Sequence, residues 1–132
     1  KKIEQAINIQ GGGIGHDNPE YLVMVMANLQ IFREERERNQ AYVDGGLFAM
    51  SLLYGFHSKG LATCSLNFAA SSEKDIEMRK LMDVDDSHVI IMFIAVGRYR
   101  DEVILTVSPR RASEDLAWIV REIPSSGRWF TG

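Results

Sequence analysis

The sequence contains a single cysteine, Cys64, so it can form neither an intramolecular disulfide nor a cysteine cluster for zinc or iron–sulfur. A reducing compartment follows as the expectation, with the cytoplasm as the default. Long apolar runs are missing too. The two longest, Tyr21 to Ala27 and Val89 to Gly97, are strand-sized and far too short to cross a hydrocarbon layer of ~30 Å as helices, so no membrane span is expected. The opening Lys1-Lys2-Ile3-Glu4-Gln5 has neither an apolar signal core nor an initiator Met, and reads as a cut or incomplete start rather than a targeting peptide. Charge of one sign is scarce. Fifteen basic residues stand against 18 acidic ones, a formal charge of −3, which offers no broad field for a polyanion and counts against nucleic acid as a partner. His16, His57 and His88 lie far apart, none with a second ligand three or four residues away, so no metal is expected.

What is present suits one soluble domain over 1–132, long enough to bury roughly two-thirds of its unfolded surface without a disulfide or structural metal. Ile3, Ala6 and Ile7, with Gln10 at the end of the same stripe, predict a short opening helix that Gly11-Gly12-Gly13 stops. Tyr21 to Ala27 runs apolar without alternation, as a strand covered on both faces does, and is expected near the centre of a sheet. From Ala41 to Lys59, Val43, Leu47, Met50 and Tyr54 form one stripe while Phe48, Leu52, Leu53 and Phe56 occupy other faces. This predicts a buried helix. Gly45-Gly46 within it implies close approach of another backbone, a partner helix being one candidate, and Lys59-Gly60 supplies the stop. A second strand is expected over Leu61 to Leu66. A helix over Glu73 to Met82 follows, capped by Ser72 and burying Ile76, Leu81 and Met82. Val89 to Val96 reads as a third strand and Glu102 to Val107 as a fourth. A last helix is expected from Ser113 through Ile123.

Side-chain machinery for acid–base or nucleophilic catalysis is not apparent. Glu34-Glu35 and Glu114-Asp115 are adjacent in sequence, so their carboxylates diverge and cannot share a proton. Cys64 could pair with His57 or His88 as a nucleophile, but a cysteine in an apolar strand more commonly serves as a small inert hydrophobe. Gly11-Gly12-Gly13-Ile14-Gly15 follows a helix rather than a strand, the wrong context for a dinucleotide cradle. Asp83, Asp85 and Asp86 lack the glycine and closing glutamate of a calcium loop. Ser108-Pro109-Arg110-Arg111 reads either as a solvated dibasic turn or as two guanidinium groups able to share one phosphate. Near Gly60 to Asn67 a strand runs out into small and polar residues whose backbone amides could meet a planar ligand.

The order of Asn39 to Met50, Gly60-Leu61-Ala62-Thr63-Cys64, Val89 to Gly97 and Ser108-Pro109-Arg110-Arg111 resembles the flavin-dependent nitroreductase family, over about Pro19 to Arg111. The resemblance implies an α+β fold: an antiparallel sheet flanked by helices, with a long buried central helix at a homodimer interface and FMN at each end of it. It also implies that a backbone amide among Ser65, Leu66 and Asn67 donates to flavin N5, and that Arg110 or Arg111 contacts the flavin phosphate. Ping-pong chemistry follows, with NAD(P)H as donor and a nitroaromatic, quinone or similar small molecule as acceptor, the flavin carrying the reaction. The family's arginine-serine phosphate motif lies upstream of the residues matched here, so the phosphate is expected to lean on Arg110 and Arg111. The alternative expectation is a non-catalytic dimeric module of the same fold that has lost flavin.

Overall fold

The structure, a computed structural model, describes residues 1–12, 19–102 and 109–116. The chain divides into two units, Lys1–Asp101 and Glu102–Gly132. In the second unit, the described portion is an exposed stretch containing Arg110 and Arg111 and a 3-10 turn over Ser113–Asp115. The expected fourth strand and most of the expected last helix lie outside the described residues.

The first unit has an α+β architecture, with elements in the order α1 (Lys2–Gln10), β1 (Tyr21–Asn28), α2 (Gln40–Ser58), β2 (Leu61–Asn67), α3 (Ser72–Met82) and β3 (His88–Arg98). Two 3-10 turns link β1 to α2. The three described strands form an antiparallel sheet in the order β1-β3-β2. Among the described strands, therefore, the centre is β3 and not β1. Both strands are apolar runs, which is why periodicity does not separate them. Burial does, since β3 keeps Phe93 to Val96 buried in succession whereas β1 buries only Val25.

The two sheet faces carry separate cores. On one, α1 and α3 bring Ala6, Ile9 and Met78 against Leu66, Ile90, Phe93 and Ala95. On the other, Ala49, Leu52, Leu53 and Phe56 of α2 cover Val25, Ile94 and Val96. A bulge decides which face two residues take: Val25 pairs with Met92 but Met26 pairs with Ile90, so Ile91 is the extra residue of β3. Ile91 and Met92 consequently both pack toward α2, while Ile90 and Phe93 on either side of them pack toward α1 and α3.

That extra residue explains Gly45. A Cβ built there would lie 2.0 Å from Ile91 Cδ1, so the close approach at Gly45 is a side chain of this chain's own β3 rather than another backbone. Gly46 has nothing within 4 Å. The helix is buried only along Ala41, Gly45 and Ala49. Val43, Leu47, Met50 and Tyr54 lie on the other side, Leu47 and Tyr54 each 66% exposed. Two residues along a helix rotate the side chain by about 200°, which sets the Val43 stripe nearly opposite the Ala41 stripe. All-round apolar character predicts burial all round, whereas within this chain only one side of the helix is covered.

Smaller differences have local causes. The α3 cap is Ser71, not Ser72, its hydroxyl accepting from the Lys74 N–H at 3.4 Å. With α3 seated this way, Met78 is fully buried and Leu81 and Met82 pack beside it, while Ile76, two residues from Met78, turns outward at 51% exposure. Gly11 ends α1 and Gly60 follows α2, both in the left-handed region with φ of 78° and 73°. Among the described residues, no helix is long and apolar enough to cross a membrane.

Candidate functional site

The C-terminal end of β2 is fixed from three directions. The ladder holds Leu66 opposite Phe93 and Asn67 opposite Met92. Leu66 puts its side chain into the α1–α3 core, while Ser65 and Asn67 are exposed, as strand alternation requires. From α1, the Gln10 carboxamide reaches across: its Nε2 donates to the Asn67 carbonyl at 2.8 Å, and its Oε1 accepts from the Gly12 N–H at 2.8 Å. Beyond Asn67, the Phe68 ring meets Phe93 edge to face, with ring centroids 5.4 Å apart.

A cavity of about 380 Å³ opens where the segment that follows β2, the first turns of α2 and α3 and the start of β3 converge. Tyr42, Phe68, Ile76 and Val89–Ile91 give it apolar walls, with Ala70, Ser72 and Asp75 completing the lining. The carboxylate of Asp75 is engaged at 2.6 Å by Arg79, whose Nη1 also donates to the Asp85 carbonyl at 3.2 Å. Asp75 therefore presents a neutralised edge to the cavity rather than a bare charge. Beside Arg79, two hydrogen bonds from Ser87, side-chain and backbone, hold the Asp85 carboxyl below its ordinary range, with lesser help from His88.

Among the described residues, no cluster of three His, Cys, Asp or Glu side chains could hold a metal ion. Cys64 is half-buried against the α1–α3 core, and His57 is engaged elsewhere, its Nδ1 2.7 Å from the Tyr99 hydroxyl. What the arrangement offers is binding: backbone amides on a strand that pairs with β3 alone among the described strands, beside aromatic and aliphatic walls. In an antiparallel ladder alternate amides of such a strand point away from its partner and remain available to a ligand.

Of the residues singled out from sequence, Ser65, Leu66 and Asn67 share this strand end. Arg110 and Arg111 belong to the other unit, both exposed. Sequence reasoning missed Phe68, Ala70, Tyr42 and Ile91 as lining residues, and it placed Gln10 on the apolar stripe of α1. The usable signal was the Phe68-Ala69-Ala70 stretch, too apolar for a solvated connection and too short for an element of its own.

The model of the nitroreductase family matches residues 13–98. The chain belongs to the nitroreductase family. Solved structures carry the same fold: an FMN-dependent nitroreductase from Clostridium difficile is 18% identical with a TM-score of 0.60, over 87% of this chain and 65% of that one. A nitroreductase with bound FMN from Bacteroides fragilis is 19% identical with a TM-score of 0.60, over 85% and 67%. A protein from Clostridium acetobutylicum described as an NADH oxidase is 12% identical with a TM-score of 0.65, over 86% and 66%. The chain thus spans 65% of the length of the Clostridium difficile nitroreductase. No curated protein matches the sequence.

Proposed function

We propose that this nitroreductase-family chain is the core of an FMN-dependent NAD(P)H oxidoreductase that acts as a cytoplasmic homodimer and reduces a nitroaromatic, quinone or similar acceptor by alternating half-reactions. The observation that carries the reading is the end of β2, where exposed Ser65 and Asn67 lead directly into Phe68, a wall of the cavity that Tyr42 shares. An isoalloxazine ring has flat apolar faces and an edge of hydrogen-bond acceptors, so amides along one strand edge beside apolar walls fit it. When bound, FMN supplies hydride and electron transfer between the nicotinamide and the acceptor. The protein's share is to hold that ring. A backbone N–H among Ser65, Leu66 and Asn67 that points away from β3 orients its acceptor edge, and Phe68 with Tyr42 excludes water from its surroundings. Arg110 and Arg111 grip the phosphate, where guanidinium–phosphate bonds are charge-assisted and contribute ~1.5–3 kcal/mol each.

Homodimerisation is supported by the open face of α2. Val43, Leu47, Phe48, Met50 and Tyr54 leave a strip of apolar surface that a second copy of the same helix would cover. The Clostridium acetobutylicum relative, described as an NADH oxidase, supports a nicotinamide donor. The testing experiment is titration of the protein with FMN, followed by flavin fluorescence and melting temperature. Saturable quenching with a rise in melting temperature is expected, and Arg110→Ala with Arg111→Ala should weaken binding by a factor of ten or more. A protein that stays colourless and unshifted in excess FMN overturns the flavin reading and leaves the non-catalytic dimeric scaffold.

A further inference from the structure

We infer that Gln10 is a positioning residue for the flavin-binding strand end, an inference that rests on the flavin reading above. Gln10 lies 57 residues from Asn67 in sequence, yet its Nε2 donates to the Asn67 carbonyl at 2.8 Å. Its Oε1 is simultaneously taken by the Gly12 N–H at 2.8 Å, so the carboxamide has both ends engaged and its rotation is blocked. Gly11, left-handed at φ 78°, turns the chain back so that Gly12 can reach that oxygen. The helix end, the glycine turn and the side chain together make one clamp.

The Asn67 carbonyl and the Phe68 N–H belong to one planar trans peptide, since the described chain has no cis bond. Holding the oxygen therefore sets the plane of that peptide and the angle at which the chain leaves β2 for the cavity wall at Phe68. Upstream, the ladder to β3 already holds Leu66 against Phe93. Asn67 is thus pinned on both sides, and the amides from Ser65 to Phe68 keep fixed directions before any ligand arrives. Preorganised donors lose less on binding than donors that must first be ordered. The carbonyl that accepts from Gln10 is also polarised, which strengthens the N–H of the same peptide as a donor. Helix α1, otherwise a packing element against α3, thereby acts on the ligand through one carboxamide.

The test compares Gln10→Glu and Gln10→Met with the wild type. Glutamate keeps an acceptor for the Gly12 N–H but cannot donate to Asn67; methionine keeps the length and neither bond. FMN affinity is read by fluorescence quenching, the visible flavin band by absorbance, and exchange of the backbone amides at 67–70 in the flavin-free protein by hydrogen–deuterium exchange. Positioning predicts that both variants raise the FMN Kd about tenfold, the effect of one lost hydrogen bond. It also predicts that the bound flavin spectrum moves toward that of free FMN and that exchange at 67–70 accelerates. A role confined to ending α1 would lower the melting temperature of Gln10→Met while leaving Kd, spectrum and exchange at wild-type values in Gln10→Glu. That result overturns the inference alone. A wild-type protein that takes up no FMN overturns the flavin reading and this inference with it.

Discussion

The two faces of α2 are equally apolar in sequence and opposite in fate. One, along Ala41, Gly45 and Ala49, is closed by β3 and its bulged Ile91; the other, along Val43, Leu47, Met50 and Tyr54, faces outward. The closed face begins with small residues that let the first turns of the helix sit near the sheet, and Leu52, Leu53 and Phe56 complete it. The open one carries large side chains along its length. Hydrophobicity says that a face is to be covered, whereas residue size and spacing say by what: a sheet at close range needs alanine and glycine, and a partner across a wider gap can take leucine and tyrosine.

Substitutions that separate the two faces should rank as follows. Ile94→Ala, fully buried under α2, should cost about 2–5 kcal/mol, read as an earlier denaturation midpoint with little change in slope. Equal stability in the variant would mean that the closed face is not a packed core. Leu47→Asp should leave the fold of one protomer intact but weaken self-association by roughly 2 kcal/mol or more, visible by sedimentation as a shift from dimer to monomer. An unchanged sedimentation profile would show that α2 does not mediate pairing. Next come the neighbouring glycines. Gly45→Ala must displace Ile91 and should destabilise by about 1–3 kcal/mol. Gly46→Ala meets nothing within 4 Å and should stabilise an isolated protomer by ~1 kcal/mol through helix propensity. If the two alanine variants melt together, the contrast between the faces fails at its sharpest point.

The smallest effect lies away from α2. The carboxyl of Asp85 titrates below its ordinary range because Ser87 donates to it, so its contribution to stability is fully present above the unfolded-state value and fades as pH falls through the lowered folded-state one. Ser87→Ala removes the largest cause, the side-chain hydrogen bond, and should flatten that acid-side slope slightly. Comparing acid melting curves of the two proteins is the check. Identical slopes would show that the side-chain bond does not act on this carboxylate.

The sequence carried much of this arrangement. Opening helix, three strands and two further helices stand close to where periodicity and caps put them, because each is delimited by a local device: Gly11 after α1, Gly60 after α2, a serine before α3. What was not legible depends on tertiary choices. The cap one serine earlier and Met78 inside in place of Ile76 follow from how α3 seats on the sheet, which its own residues do not encode alone. Ser65 to Asn67 were legible as a strand end with amides to offer, but the cavity that begins at Phe68 is assembled from α2, α3, β3 and the segment after β2. Gln10 was unreadable for the same reason, since a glutamine on an apolar stripe reveals nothing of a carbonyl 57 positions away.

The doubled step at Ile91–Met92 also limits how this gene can change. Deleting one codon there would restore strict alternation to β3 and keep Ile90 on the same side as Phe93, so the loss would fall on the α2 face, where one side chain would remain in place of two. The notch at Gly45 would lose the methyl that fills it, so a one-residue indel at this spot should be far less tolerated than a conservative replacement of either neighbour.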